Sequence, residues 1–331
     1  MRLHIKCAAT AAIIVCLLAC SRTDQKSAGH AEKVTIAYAN PPYTVLIDIA
    51  QAQGYFRQDG LEVVPQLYSY GKPTLEALLA GKADFATIGE TPFMFAVMKG
   101  EKISVIATIQ TSNKNNAVIA RKDSGIRVPR DLKGRRIAVT SGTIGEFFMD
   151  AFLGVNGISR KDVKIVTLSP AGMQDALTSG EIDAASTWNP DLVLMQRKLG
   201  DKGVTFYNED IYTQNFEIVA SQEYIRNHPE AVKKMLRALL RAEEFVGKSP
   251  AEAQKIVADS RQMESGLLGD MWQVNKFNVT LNQELVLALE DESRWAIKAG
   301  LTKETKIPNY LDYIYLDGLA SVKPEAVSIL R

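Results

Sequence analysis

The sequence predicts an α/β protein of two similar lobes completed by a helical tail. Three observations predict it. Strand-like and helix-like runs alternate through the first two thirds of the 331 residues. One stretch of that alternation recurs about a hundred positions later. From Pro229 the chain turns mostly helical. The composition, 46% hydrophobic and 23% charged, is that of an ordinary globular chain. A balance of 39 Lys+Arg against 38 Asp+Glu leaves a formal charge of +1 and removes the electrostatic footprint of a nucleic-acid binder.

The amino terminus reads as an address. Arg2 and Lys6 precede an apolar run from Ala8 to Leu18. That run is too short to span a bilayer as a mature helix and suits the core of a secretory signal. Leu17-Leu18-Ala19-Cys20-Ser21 resembles a bacterial lipobox. The expectation is a signal over 1–19, a lipidated Cys20 and a polar tether over 20–33; the plainer alternative is an ordinary signal cut near Ala19. Multiple acyl chains on one Cys suffice for stable anchoring. By resemblance to lipoprotein sorting, Ser21 rather than Asp after the Cys leans toward the outer membrane. Cys7 and Cys16 leave with the signal and Cys20 carries lipid, so no mature thiol is left for catalysis, disulfides or metal. His30 lies in the tether and His228 precedes a helix at the surface. No metal site, cofactor or nucleophile–His pair is expected.

The elements follow in order. Val34–Ala39 reads as a buried strand, Asn40–Tyr43 as a loop, and Val45–Gln53 as a helix ended by Gly54. Leu61–Val64 is a strand, Thr74–Ala80 a helix ended by Gly81, and Asp84–Ile88 a strand. Phe93–Lys99 is a helix opened by Thr91-Pro92, and Ser104–Ile109 a strand. Arg121-Lys122-Asp123 and Lys133 to Arg136 read as charged turns. The order then repeats: strand 136–140, helix 144–153, strand 162–166, helix 173–178 ended by Gly180, and strand 183–186. Glu217–Ala220 is one more strand, followed by helices over 229–246, 250–259, 266–277 and 284–299 with Ser249 and Asn282 as caps. Alternation of this kind argues for parallel sheets covered by helices on both faces.

The repetition extends to residues. Ala77-Leu78, Gly81, Asp84 and Ala86-Thr87 match Ala176-Leu177, Gly180, Asp183 and Ala185-Ser186, an offset of 99 positions (Ala77 to Ala176). Two similar lobes follow, one spanning 34–116 plus 222–331 and the other 117–221, the helical tail packing on the first.

In open α/β sheets, ligands sit at the carboxyl ends of strands, where helix N-termini favour anions. Four loops qualify: Asn40–Tyr43, Gly89–Thr91, Ser141–Thr143 and Thr187–Asn189. Thr91, Ser141 and Thr143 read equally as N-caps and as ligand contacts. Gly142 permits close approach of backbone N–H groups to an anion. Trp188 and Tyr43 read as opposite walls or as packed core. Glu90 reads first as a complement to its helix dipole, and otherwise as a partner for an ammonium or for the other lobe. No paired-carboxylate acid/base motif and no P-loop is present in the sequence.

These residues carry a resemblance. Gln53-Gly54-Tyr55-Phe56 with Gly60-Leu61-Glu62-Val63, Glu76 to Pro92, Asp131-Leu132-Lys133-Gly134 with Arg136 to Gly142, and Gly180 to Ala184 with Trp188-Asn189-Pro190 resemble the solute-binding proteins of ABC importers in the sulfonate, nitrate and taurine group. That group shares a domain with thiamine-pyrimidine precursor proteins. The resemblance implies a two-lobed periplasmic-binding fold of the second type, closure on a small anion, and delivery to a membrane permease and ATPase by a monomer. It implies anion contacts at Thr91 and Ser141 to Thr143 and a cleft wall at Trp188. Asn189 stands where many relatives carry Asp or Gln. Some fungal members are enzymes that use their own His and a Cys-rich motif, neither of which has a counterpart in the mature sequence. A binding protein is therefore expected, with a same-fold enzyme acting on a small carboxylate, or a sensor lipoprotein without an importer, as the rivals.

Overall fold

A computed structural model of the protein describes residues 31–40 and 42–330. The signal, Cys20, Ser21 and His30 lie outside the described residues. Ten strands follow one another among those described: β1 (Glu32–Tyr38), β2 (Leu61–Leu67), β3 (Phe85–Gly89), β4 (Ile103–Ser112), β5 (Asn116–Arg121), β6 (Arg136–Val139), β7 (Lys164–Thr167), β8 (Ala184–Trp188), β9 (Gly203–Phe206) and β10 (Gln214–Ser221). They form two five-stranded sheets, ordered β2-β1-β3-β10-β4 and β7-β6-β8-β5-β9. Strand β1 already includes Glu32 and Lys33, which the tether had claimed; Glu32 is held through its N–H to Gly60 O at 3.0 Å.

Each sheet is built the same way. Four strands run in one direction, and one runs against them, paired antiparallel on both sides. The sheets are therefore mixed, not parallel. Helix-crossover patterning reports only the parallel strands, because a strand arriving from the other lobe has no crossover helix of its own. In the first sheet that strand is β10; in the second it is β5. Strand β10 pairs with β3 and β4, so it belongs with the first sheet, although the sequence boundary at 221 had put it in the second lobe. The chain crosses between sheets at 113–115 and again at 207–213.

The residue repeat has a physical cause. Gly81 and Gly180 take positive φ, 67° and 85°, at the ends of equivalent helices. Asp84 then accepts the Thr35 N–H at 2.7 Å, and Asp183 accepts the Arg136 N–H at 2.8 Å. In both lobes one carboxylate fixes where the central strand begins. Arg136 adds an ion pair to Asp183 at 2.7 Å and holds that carboxyl below the usual carboxylate range.

Helices cover the sheets. In the first lobe α1 (Val45–Ala52), α2 (Tyr55–Gln58), α3 (Gly71–Leu79) and α4 (Glu90–Met98) come before the first crossing. In the second, α5 (Ile144–Val155) packs one face through Phe148 and Phe152, and α6 (Pro170–Ser179) and α7 (Asp191–Leu199) pack the other through Met173 and Met195. Successive β5 residues, Val118 and Ile119, point to opposite faces. After β10 come α8 (Gln222–Asn227), α9 (Pro229–Lys248), α10 (Pro250–Arg261), α11 (Ser265–Trp272), α12 (Gln283–Lys298) and α13 (Leu316–Ala320), whose apolar faces join the first lobe's core.

Two expectations in the tail change. Helix α11 stops at Trp272 rather than reaching Phe277, because residues 276 and 280 bridge to Thr111 and Thr108 and cover the β4 edge. Asn282 caps α12 by accepting from Leu285 N at 3.2 Å, whereas Ser249 makes no side-chain cap. His228 is exposed, as expected, and stacks on Tyr224 at 4.5 Å.

If the two aspartates start the central strands, Asp84→Ala and Asp183→Ala should each destabilise the fold by about 1.5–3 kcal/mol, the range for a hydrogen bond to a charged group. Urea unfolding measures this, and losses near zero for both variants would show that the repeat has no such role.

Candidate functional site

The carboxyl ends of β3 and β8 meet between the lobes, and aromatic rings gather there. Tyr43 stacks on Phe216 with centroids 4.6 Å apart and an interplanar angle of 27°. Tyr70, ahead of α3, faces Trp188 of the second lobe at 6.2 Å. These rings wall a small cavity of about 30 Å³. Gly71 and Gly89 expose backbone in its lining, and Lys72, Thr143 and Gln214 add polar atoms. Gly89 packs against the other lobe: a Cβ there would press on Ile144 Cδ1.

Tyr43 ties the cavity to both lobes. Its hydroxyl donates to Asn189 O at 2.6 Å and accepts from Asn115 Nδ2 at 2.7 Å. Burial pushes this phenol well above its ordinary pKa, so it stays a neutral donor. Asn189 contributes its carbonyl here; its own Oδ1 is buried without a hydrogen-bond partner among the described residues. Two further contacts cross the cleft. Lys72 Nζ donates to Ser141 O at 3.2 Å, and Trp295 Nε1 donates to Asp150 Oδ2 at 2.8 Å.

The expected hydroxyl contacts are committed within the chain. Thr91 donates to Glu292 Oε1 at 2.9 Å, Thr143 to Thr140 O at 2.6 Å, and Ser141 to Glu146 Oε2 at 3.2 Å. None of the three caps its helix, although Thr143 sits at the N-cap position of α5. The Gly142 N–H also goes to Glu146, at 2.8 Å, and Arg160 pairs with that carboxylate at 2.6 Å. Ser141 and Gly142 open on a neighbouring groove of about 330 Å³ that shares Lys72 and Pro92 with the aromatic cavity. Of the expected residues, Tyr43, Thr143 and Trp188 line the cavity itself. Tyr70, Lys72, Gln214 and Phe216 were missed. Lys72 carried a signal: a cation in the first turn of a helix opposes the dipole and needs another reason to be there.

Glu90 does not act as an exposed dipole complement. It is fully buried, and its Oε1 accepts the Asn215 N–H at 3.0 Å. Glu217 on β10 and Glu292 on α12 are equally buried. Burial raises all three carboxyls well above the usual range. Each is raised further by another member: Glu90 by Glu217, Glu217 by Glu292, and Glu292 by Glu90. The neutral acid form satisfies this site, since isolated buried carboxylates are far more costly.

Two α/β lobes of like topology around a cleft at the strand ends define the periplasmic-binding-protein fold. The chain belongs to the NMT1/THI5 like family, whose model matches residues 41–253. It is 24% identical to a candidate aliphatic sulfonates-binding protein of Bacillus subtilis over 275 residues, 81% of this chain and 82% of that one. It is 26% identical to the taurine-binding periplasmic protein of Escherichia coli over 220 residues, 65% of this chain and 67% of that one. The periplasmic aliphatic sulphonate binding protein SsuA from Escherichia coli superposes with a TM-score of 0.73 at 17% identity, covering 86% of this chain and 92% of that one.

The three carboxyls set a pH dependence. Their folded-state pKa values are raised above the unfolded value near 4.3, so the folded chain keeps protons that unfolding releases. Their stabilising contribution is complete below that value and is lost as pH rises, by about 1.4 kcal/mol per pH unit per retained proton. Asp48 and Asp191, raised to about 6 by burial, act with the same sign. Urea midpoints should therefore be higher at pH 5 than at pH 8, and Glu217→Gln should flatten the slope. A midpoint that climbs from pH 5 to pH 8 would contradict this reading of the cluster.

Proposed function

We propose that this chain is a solute-binding lipoprotein that captures a small organic or inorganic anion between its lobes and presents it to an ABC permease and ATPase complex. The observation that carries the reading is the cavity itself. It lies between two lobes joined by two crossings, and its walls come from both. Family membership and the sulfonate- and taurine-binding relatives support the same reading. Sulfonate, taurine and nitrate are the anion classes proposed. Tyr43, Thr143 and Trp188 are proposed as cleft contacts, with Glu90 and Thr91 beneath the cleft floor and Ser141, Gly142 and Asn189 at its rim.

The lobes move about residues 113–115 and 207–213, and the protein acts as a monomer. It binds without turning its ligand over. No set of three or more His, Cys, Asp or Glu among the described residues could hold a metal ion. The location proposed is the periplasm, with Cys20 as the lipid anchor and the outer membrane favoured by Ser21. No helix among the described residues is long and apolar enough to cross a membrane, so the anchoring proposal rests on Cys20.

A thermal-shift screen of taurine, ethanesulfonate, benzenesulfonate and nitrate tests the binding reading. One of these at about 100 times its dissociation constant should add roughly 2.7 kcal/mol of stability and be recovered unaltered. Stabilisation by none of them, or recovery of a changed molecule, would overturn it. For the anchor, labelled palmitate should enter the parent chain and fail to enter Cys20→Ala; equal labelling of both rules Cys20 out.

A further inference from the structure

We infer that Lys72, rather than the hydroxyl loops, holds the acidic head of the ligand, and that the body of the ligand is a flat aromatic ring. The inference rests on the anion-binding reading above and narrows it to one residue and one substrate class.

A hydroxyl has one proton to donate. Those of Thr91, Ser141 and Thr143 go to Glu292, Glu146 and Thr140 O. The Gly142 N–H goes to Glu146 as well. Glu146 therefore occupies the anion position at the start of α5, and Arg160 neutralises it. An anion in the aromatic cavity needs a donor with protons to spare. Lys72 is the one charged side chain lining that cavity among the described residues, and its ammonium has three protons. One of them reaches Ser141 O at 3.2 Å, and no carboxylate among the described residues forms an ion pair with it. Lys72 also stands in the first turn of α3, where its charge and the helix dipole add. Glu76, Lys99 and Glu101 line the neighbouring groove rather than the cavity.

Tyr43, Phe216, Tyr70 and Trp188 give the cavity four ring walls, and the last two come from opposite lobes. Aromatic rings favour offset stacked or tilted partners at about 4.5–7 Å. Gly71 and Gly89 leave backbone, not side chain, beneath the rings. An alkyl chain gains nothing from ring orientation; a flat ring does. Lys72 lines both the cavity and the groove, which puts its ammonium at the edge of the ring site. The enclosed space is about 30 Å³ and Tyr70 already meets Trp188 across it, so an arene carrying a sulfonate or carboxylate enters as the lobes part, its ring taking the place of that contact and its acid lying at Lys72.

Calorimetric titration of the protein with benzenesulfonate, cyclohexanesulfonate, ethanesulfonate, nitrate and neutral benzenesulfonamide tests both halves. Benzenesulfonate should bind at least tenfold more tightly than the other three anions. Lys72→Met should weaken benzenesulfonate at least tenfold while leaving benzenesulfonamide within twofold, and Lys72→Arg should restore most of the loss. Thr91→Ala should leave benzenesulfonate within about threefold. A Lys72 acting only as an interlobe strut would lower both ring ligands together in Lys72→Met, and that result overturns its assignment. Ethanesulfonate or nitrate binding more tightly than benzenesulfonate overturns the aromatic class and leaves the anion reading standing. Binding of benzenesulfonamide with no measurable binding of any anion overturns the anion reading, and this inference with it.

Discussion

Gln214 Oε1 accepts a hydrogen bond from Asn115 at 3.0 Å and another from Asn116 at 2.9 Å, and the arrangement of the two lobes depends on that knot. Asn115 and Asn116 stand where the chain enters the second sheet; Gln214 stands where it returns to the first. One buried amide thus clasps both crossings. Its Nε2 continues to Gln110 Oε1 at 3.2 Å, and Gln110 Nε2 continues to Asn275. Amides are neutral and present both donors and acceptors, so they can be buried at a crossing without the desolvation penalty of charges. Leaving one of them unpaired in such a site costs about 1–3 kcal/mol.

The knot also reaches the cleft. Asn115 donates to Tyr43, Tyr43 stacks on Phe216, and Phe216 follows Gln214 by two residues on the same strand. The wall that faces the ligand is therefore built on the crossings themselves. On the outer side, Trp295 of α12 meets Phe147 and Asp150 of α5, so a second set of contacts between the lobes lies away from the cavity. A movement at the crossings would alter the cavity wall and these outer contacts together.

Much of this was legible in the sequence, and the parts that were not share a cause. The repeated Gly81–Asp84 and Gly180–Asp183 joints could be read because each is local: a helix end, a turn and a strand start within a few residues. Strand β5 and the true partner of β10 could not, because their neighbours lie far along the chain and because polar residues such as Asn116, Gln214 and Glu217 mask their burial. Tyr43 and Trp188 could be placed at the cleft from their positions after strands. The hydroxyls were legible as residues at strand ends but not as donors, since the partner that takes the Thr91 proton sits 201 positions away on α12. Lys72 drew no reading, since the sequence starts its helix at Thr74 and the Ser141 carbonyl it meets lies 69 positions away.

The account turns on the two lobes meeting at the cleft, and Gly89 packs against the opposite lobe at that meeting. Its φ of −82° and ψ of 162° suit any residue, so the backbone would accept a side chain there. What a side chain there would press on is Ile144 of the opposite lobe. Small-angle scattering of Gly89→Val beside the parent protein tests this most directly. The account predicts a larger radius of gyration for the variant with an unchanged far-ultraviolet circular dichroism spectrum, the lobes intact but held apart. Identical scattering from the two proteins would contradict it.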